Sequence, residues 1–344
     1  MSNSRNIRRK KKKRRSLRLF FLTILLVLIG GGSYFAYDIV YNAKKASDNI
    51  YQELDSSKIT KQRKEEVQIT KDAFNILLVG IEDQGGGERS DVLMLVTVNP
   101  ESKEVYMLSI PRDTKTYLPD AGYTTKITHS YSNGGIESTI ETVSELLDVP
   151  IDYYVTTNFQ GFEDIVDTLG GVSVEVPFTF KAQLTDSLRW KTYYEGPMDL
   201  NGNEALAYVR MRKKDPKGDM GRNERQQQVI KAIVDKGTSF SSLSKIDDVM
   251  HDLGENVKTN IPPSKFLSFI NLYTKIKNTQ IQNLAIEGYD EWIDSVYYYT
   301  PYDESISELS SILNNALDTS SYSVDNHSMN SNTNQAAGSQ SEKY

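Results

Sequence analysis

The sequence predicts an α/β fold with a central, mostly buried mixed β-sheet between helical layers, preceded by one N-terminal transmembrane helix. Three observations carry this expectation. Short apolar runs ending in glycine or turn residues alternate with segments of helical spacing. Those runs are apolar almost throughout, as strands covered on both faces require. Leu19 to Tyr37 (LFFLTILLVLIGGGSYFAY) contains no charged residue. At about 1.5 Å per residue that stretch reaches about 28 Å, close to the ~30 Å hydrocarbon core of a bilayer.

Taken in order, residues 1–18 form a basic cytoplasmic tail, with ten Lys/Arg and no acid between Arg5 and Arg18. The positive-inside rule keeps this block in the cytoplasm and puts residues 38–344 outside the cell. The apolar run at 19–37 is longer than a signal-peptide core, and no small-x-small cleavage site follows it, which favours an uncleaved anchor. Residues 38–72 are polar and charge-mixed and read as a stalk. The domain proper, 73–317, opens with FNILLVG (74–80), a strand, followed by DVLMLVTVN (91–99) and EVYMLSI (104–110), two strands joined by the turn PESK. ESTIETVSELL (137–147) sets Ile140, Val143, Leu146 and Leu147 on one helical face. DYYVTTNF (152–159) returns to strand, and QGFEDIVDTLGG (160–171) is a helix stopped by Gly170–Gly171. VSVEVP (172–177) alternates as a strand. Asn201 caps a short helix through Tyr208, Glu224 to Lys236 makes another, 262–278 a later one, and TQIQNLAIEG a closing strand. Residues 318–344 are rich in Ser, Asn, Gln and Thr, a composition that buries no core and predicts a disordered tail.

Charge and cysteine content narrow the function. The chain carries −6 overall; without the ten basic residues of the tail, residues 19–344 carry −16. Such an acidic external domain is a poor binder of nucleic acid or of anionic membranes. The absence of cysteine excludes disulfides, thiolate metal sites and a Cys nucleophile.

Four clusters place charge at the end of an apolar strand or run. Glu82 and Asp83 follow the first strand; Arg89 and Asp91 open the second; SIPRDT closes the third with Arg112 and Asp113. The fourth, VRMRKKDPKGDMGRNERQQ (209–227), gathers Arg210, Arg212, Lys213, Lys214, Arg222 and Arg225 around Asp215, Asp219 and Glu224, broken by Pro216, Gly218 and Gly221. Any one cluster is readily explained as a surface ion-pair network. Several strand ends carrying arginine beside a carboxylate fit a metal-assisted phosphate site, since ligands of open α/β sheets bind at strand ends. Guanidinium forks grip phosphate oxygens. Mg2+ (or Mn2+ in its place) takes one or two carboxylates together with phosphate oxygens and water. The chain has no GxxxxGK[ST] loop, no GxGxxG fingerprint and no GxSxG elbow. His129, His251 and His327 lack metal-ligand spacing. A glycosidase built on two carboxylates would not need so many arginines. Trp190, Tyr193 and Tyr194, in the loop 178–200, either stack on sugars or pack that loop down.

The motifs ILLVG, RSDVLMLVTVNP, LSIPRDT, KIT…YSNGG, DYYVTTNFQGFEDIVDTLGGVSVEVP, LNGNEALAYVRMR and GDMGRNERQQQ, spread over residues 74 to about 237, resemble the LytR–CpsA–Psr proteins of Gram-positive envelopes. The resemblance implies a membrane-anchored phosphotransferase. Such an enzyme moves a glycopolymer, wall teichoic acid or capsular polysaccharide, from a polyprenyl-pyrophosphate carrier to peptidoglycan, as a phosphodiester on the muramic acid C6 hydroxyl. It implies that Asp91 holds Mg2+, with Glu82 or Asp83 beside it, where the family usually has an Asp just after the first strand's glycine. It further implies that Arg89, Arg112, Arg210 and Arg212 grip the phosphates, and that Asp219 orients an arginine or serves as base. Arg222, Gln226 and Lys126 would complete the polar wall. The family's long lipid pocket would be lined by apolar positions of 137–147 and 160–169, which otherwise serve as ordinary core. The alternative function is a non-catalytic envelope module that binds anionic glycopolymers or regulates cell-wall assembly.

Overall fold

The computed structural model describes residues 50–61, 63, 65–82, 88–185, 187, 189–212, 215–237 and 256–317. The basic tail, the expected membrane anchor and the Ser/Asn-rich tail lie outside the described residues, as does Asp83. Among the described residues no helix is long and apolar enough to cross a membrane.

The first three apolar runs form an antiparallel meander of β1 (Phe74–Glu82), β2 (Arg89–Asn99) and β3 (Glu104–Ile110). A hairpin, β4 (Lys115–Leu118) and β5 (Tyr123–Lys126), leads to α1 (His129–Leu147). Strand β6 (Tyr153–Asn158) then pairs parallel to β1 and runs directly into α2 (Phe159–Thr168). Next come β7 (Val172–Val176), β8 (Phe180–Gln183), β9 (Trp190–Tyr193), β10 (Gly196–Leu200), α3 (Gly202–Arg210) and α4 (Asp219–Gly237). The chain continues with β11 (Val257–Thr259), α5 (Phe266–Ile276), β12 (Ile281–Ala285), the hairpin β13 (Gly288–Ile293) and β14 (Val296–Pro301), and α6 (Asp303–Leu317). Six strands form the central mixed sheet, in the order β11-β6-β1-β2-β3-β12.

Alternation along these strands divides two apolar faces. Leu77, Val79, Leu93, Leu95 and Leu108 meet Ile140, Val143 and Leu147 of α1 and Leu309 and Leu313 of α6. On the other face Phe74, Val98, Val105 and Tyr153 meet Leu272 of α5. Phe74, Tyr153 and Phe269 form an edge-to-face trio with ring centroids 5.6–5.9 Å apart. The sheet between helical layers read from the sequence is therefore the observed arrangement. Ile140, Val143 and Leu147 are fully buried in this core.

A second core joins β7, β8, β9 and β10 to α3 and α4, through Val174, Phe180, Tyr193, Leu200, Tyr208 and Val229. Tyr193 is wholly buried, stacked 4.9 Å from Phe180, so it packs the loop rather than offering a sugar platform. Trp190 and Tyr194 remain exposed.

Three expectations need correction, and one expected strand pairs outside the central sheet. Residues 50–72 are not a stalk: Ile50, Ile59, Val67 and Ile69 are buried against the sheet and its helices, and Tyr51 bridges to Thr259. Their apolar spacing follows no helix or strand period because the segment wraps the domain irregularly. Helix α1 begins at His129, eight residues before the apolar stripe, with a kink at Gly134 and Gly135 separating its polar first turns. Helix α4 begins at Asp219 rather than Glu224. Strand β7 pairs only with β10 in a separate ribbon, outside the central sheet. If residues 50–72 are integral, Ile69→Ala removes a fully packed side chain and lowers stability by about 2–4 kcal/mol. A urea midpoint unchanged by that substitution would restore the stalk.

Candidate active site

Strand direction decides which residues meet. β2 runs against both β1 and β3, so the end of β1, the start of β2 and the end of β3 share one sheet edge. The register sets Glu82 opposite Arg89 and Leu93 opposite Ile110. Parallel pairing brings the end of β6 to the same edge, Asn158 beside Ile81. A bulge between Gly80 and Ile81 bends the last residues of β1, and a Cβ at Gly80 would lie 3.0 Å from that of Val92.

At this edge Arg112 Nη1 donates to both carboxylate oxygens of Asp91, each at 3.1 Å. Its Nε lies 3.6 Å from Asp113, and Lys126 Nζ donates to Asp113 Oδ1 at 2.6 Å. The carboxyl of Glu82 is pushed above its ordinary range by burial first, then by its hydrogen bond to Asp91 and the charge of that carboxylate. Arg210 and Arg112 oppose the shift, which places both guanidiniums within the field of Glu82. Arg210 also lies over the ring of Phe159, 4.3 Å from its centroid, at the start of α2. His129 is lowered by burial, then by Arg89 and Lys126, with Asp113 opposing, and its Nδ1 lies 3.1 Å from Thr125 Oγ1. Burial and the neighbouring cations thus both disfavour the charged imidazole. The structure thus brings Glu82, Arg89, Asp91, Arg112, Lys126 and Arg210 to one edge of the sheet.

The arginine-rich segment is shaped by a residue that faces inward. Asn201 and Glu204 form a reciprocal capping box at the start of α3. Where that helix ends, Arg225 reaches back from α4 and donates Nε to the Tyr208 carbonyl at 3.1 Å and Nη2 to the Met211 carbonyl. Its Nη1 pairs with Asp215, and both side chains are 2% exposed. The guanidinium also lies against the rings of Phe180 and Tyr208. Gly221 is required beside this pair, because a Cβ there would stand 2.1 Å from Asp215 Oδ2. Arg225 and Asp215 are thus structural members of a cluster that reads in sequence as uniformly functional.

A cleft of about 750 Å³ adjoins the edge, with Arg112 and Asp113 shared between cleft and edge, and with Arg212, Arg222 and Gln227 also lining it. Gln227 donates to Ser109 Oγ at 3.2 Å, tying α4 to β3, while Gln226 is not among the lining residues. Asp219 opens α4, but its carboxylate lies outside what the structure describes. Sequence reasoning missed Asp290, Tyr297 and Tyr299, which line the cleft from β13 and β14. The alternation in GYDEWIDSVYYYTP was the available signal. Lys126 lies 5.8 and 5.7 Å from the ring centroids of Tyr297 and Tyr298, which joins that hairpin to the charged edge.

The chain and its fold are similar to known proteins. The chain is 40% identical over 289 residues to the polyisoprenyl-teichoic acid–peptidoglycan teichoic acid transferase TagV of Bacillus subtilis (strain 168), covering 81% of this chain and 73% of that one. It is 40% identical over 286 residues to TagU of the same organism, a transferase of the same description, covering 83% and 90% respectively. The crystal structure of B. subtilis TagV superimposes with a TM-score of 0.64 at 41% identity, over 72% of this chain and 98% of that chain. A structure of TagT bound to LIIa-WTA does so with a TM-score of 0.63 at 36% identity, over 74% and 95%. The family model of the LytR_cpsA_psr family matches residues 37–315, and the chain belongs to that family.

Proposed function

We propose that the chain is a membrane-anchored phosphotransferase of the cell envelope, a polyisoprenyl-teichoic acid–peptidoglycan teichoic acid transferase. It moves the polymer from a polyprenyl-pyrophosphate carrier to the C6 hydroxyl of muramic acid, with residues 19–37 as the tether and the domain on the outer side. The observation that carries the reading is the gathering of Glu82, Asp91, Arg112 and Arg210 at one sheet edge beside a cleft walled by Arg212 and Arg222. The relatives whose names state that activity, at 40% identity, support the same substrates.

In the reaction, the acceptor hydroxyl oxygen bonds to the phosphorus that carries the glycopolymer. The bond from that phosphorus to the bridging oxygen breaks, and polyprenyl phosphate leaves. Arg89, Arg112 and Arg210 offset charge that develops on the non-bridging and leaving oxygens, where preorganised donors act most strongly. Arg212 and Arg222 extend the same grip along the cleft, and Lys126 holds Asp113 in place. Asp219 is assigned the proton of the attacking hydroxyl.

The hydrogen-bonded carboxyls of Glu82 and Asp91 fit a small divalent cation, because burial and Asp91 both disfavour the charge on Glu82 and Mg2+ needs only one or two carboxylates. Among the described residues no group of three or more His, Cys, Asp or Glu could hold a metal, so waters and substrate phosphate would complete the shell. Glu82 and Asp91 would be its protein ligands. When bound, the ion neutralises diphosphate oxygens.

Three outcomes test this reading. Transfer of a defined lipid-pyrophosphate glycan to peptidoglycan oligomers releases polyprenyl phosphate, and Arg112→Ala lowers kcat by about 10²–10³-fold. No transfer by the parent protein would instead favour the non-catalytic module, and full transfer by Asp91→Ala would remove that carboxylate from the chemistry. Chelation abolishes turnover and Mg2+ restores it, with Glu82→Gln raising the Mg2+ concentration for half-maximal rate at least about tenfold; a rate indifferent to chelator removes the metal from the scheme. Arg225→Met strands Asp215 without its partner, so thermal or urea unfolding registers a loss of about 3–5 kcal/mol. Stability equal to that of the parent would show that the pair does not hold the segment.

A further inference from the structure

The hairpin β13–β14 contributes no cation to the phosphate site, yet one of its faces opens onto the cleft. Its two-residue turn, Asp294–Ser295, has φ values of 48° and 66°, the left-handed pair of a tight type I′ connection. The register sets Asp290 opposite Tyr299 and Trp292 opposite Tyr297. Side chains alternate along strands, so these four share a face. Asp290, Tyr297 and Tyr299 line the cleft, and Trp292 carries that face outward, 69% exposed and edge-on to Tyr297 at 5.6 Å.

The platform is fixed from several sides. Tyr297 donates its hydroxyl to Asp290 Oδ1 at 2.8 Å. Glu291 accepts from Lys115 Nζ at 2.9 Å and from Thr300 Oγ1 at 2.6 Å. The Tyr299 amide donates to the Asp113 carbonyl at 2.9 Å, which connects the hairpin to the charged edge. An exposed indole on a strand fixed in this way, packed edge-on against Tyr297, offers a flat face on which a ligand can stack. Residues 288–301 carry Asp290, Glu291 and Asp294 and no Lys or Arg. The strands themselves thus offer no cation to a polymer's phosphates, and their exposed aromatic face suits a sugar ring better than a phosphate.

Resting on the transferase reading, we propose that this face is the acceptor subsite, binding an N-acetylhexosamine ring of the peptidoglycan glycan. One pyranose stacks on Trp292, hydroxyls reach Asp290, and the chain is led towards the arginines of the cleft. Donor phosphate then lies with the arginines of the cleft, and the acceptor sugar with the aromatic face of the hairpin.

The chain has two tryptophans, Trp190 and Trp292. In the full-length protein carrying Trp190→Phe, Trp292 is the sole indole, and titration with a peptidoglycan tetrasaccharide, without lipid donor, should change its fluorescence saturably. Trp292→Ala should raise the acceptor KM about tenfold while leaving the donor KM and the kcat at saturating acceptor unchanged. Trp292→Phe, which keeps a ring, should recover most of that loss and guards against a folding defect in the alanine variant. No saturable signal, or an effect on the donor KM in place of the acceptor KM, overturns the assignment; the latter would mean that donor sugars use this face. If the parent protein transfers nothing, the transferase reading fails, and the fluorescence titration still decides whether the glycan binds Trp292.

Discussion

Arg225 and Asp215 are both almost wholly buried, and burying a charge pair is favourable only when every remaining donor finds a partner. Here the guanidinium also satisfies two carbonyls at the end of α3, groups that a helix terminus would otherwise leave unpaired. One side chain therefore closes α3, fixes the turn at 215–218 and anchors α4. Arg210 ends α3, Arg212 follows it, and Arg222 lies in the first turn of α4, so the clamp sets the spacing between them.

The second constraint is electrostatic. Several cations at one sheet edge repel each other, and the local carboxylates do not simply cancel them. Asp91 is occupied by Arg112, Asp113 is shared by Arg112 and Lys126, and Glu82 is driven towards its neutral form by burial and by Asp91. Protonating Glu82 leaves the edge more positive, which suits a multiply charged anion such as a diphosphate. A divalent cation, if held by Glu82 and Asp91 as proposed above, would serve the same end by a different route, since its charge would offset both acids. Both routes place the decisive charge where the antiparallel meander ends, which is why a bulge at Gly80 matters to chemistry as well as to the sheet.

Much of this was legible in the sequence because strands and clusters obey short-range rules. The run 104–110 is a strand with those same ends, and Asn201 caps its helix through a box with Glu204. The charged ends of β1, β2 and β3 could be predicted to meet once the meander was recognised. Other features were hidden for physical reasons. Residues 50–72 are held by isolated apolar contacts without a period. The first turns of α1 precede a kink and have no apolar stripe. Arg225 and Arg222 are adjacent in composition but opposite in role, and only the direction of the α4 face separates them. Tyr193 and Trp190 differ likewise by strand parity: one is buried against Phe180 and the other exposed.

Strand parity also explains how the two cores cooperate. The central sheet supplies the carboxylates and Arg112 from strand ends, where backbone pairing fixes position to within a residue. The second core supplies Arg210, Arg212 and Arg222 from helix ends, held through Arg225 and its aromatic neighbours. Among the described residues, Gln227 to Ser109 joins the two, and Arg210 acts electrostatically on Glu82. A phosphate-bearing ligand lying between them would add charge-assisted bonds to both sides at once. Its binding energy would then depend on the cores keeping their relative position, so substitutions that loosen the Gln227–Ser109 contact should act on phosphate affinity without touching an arginine.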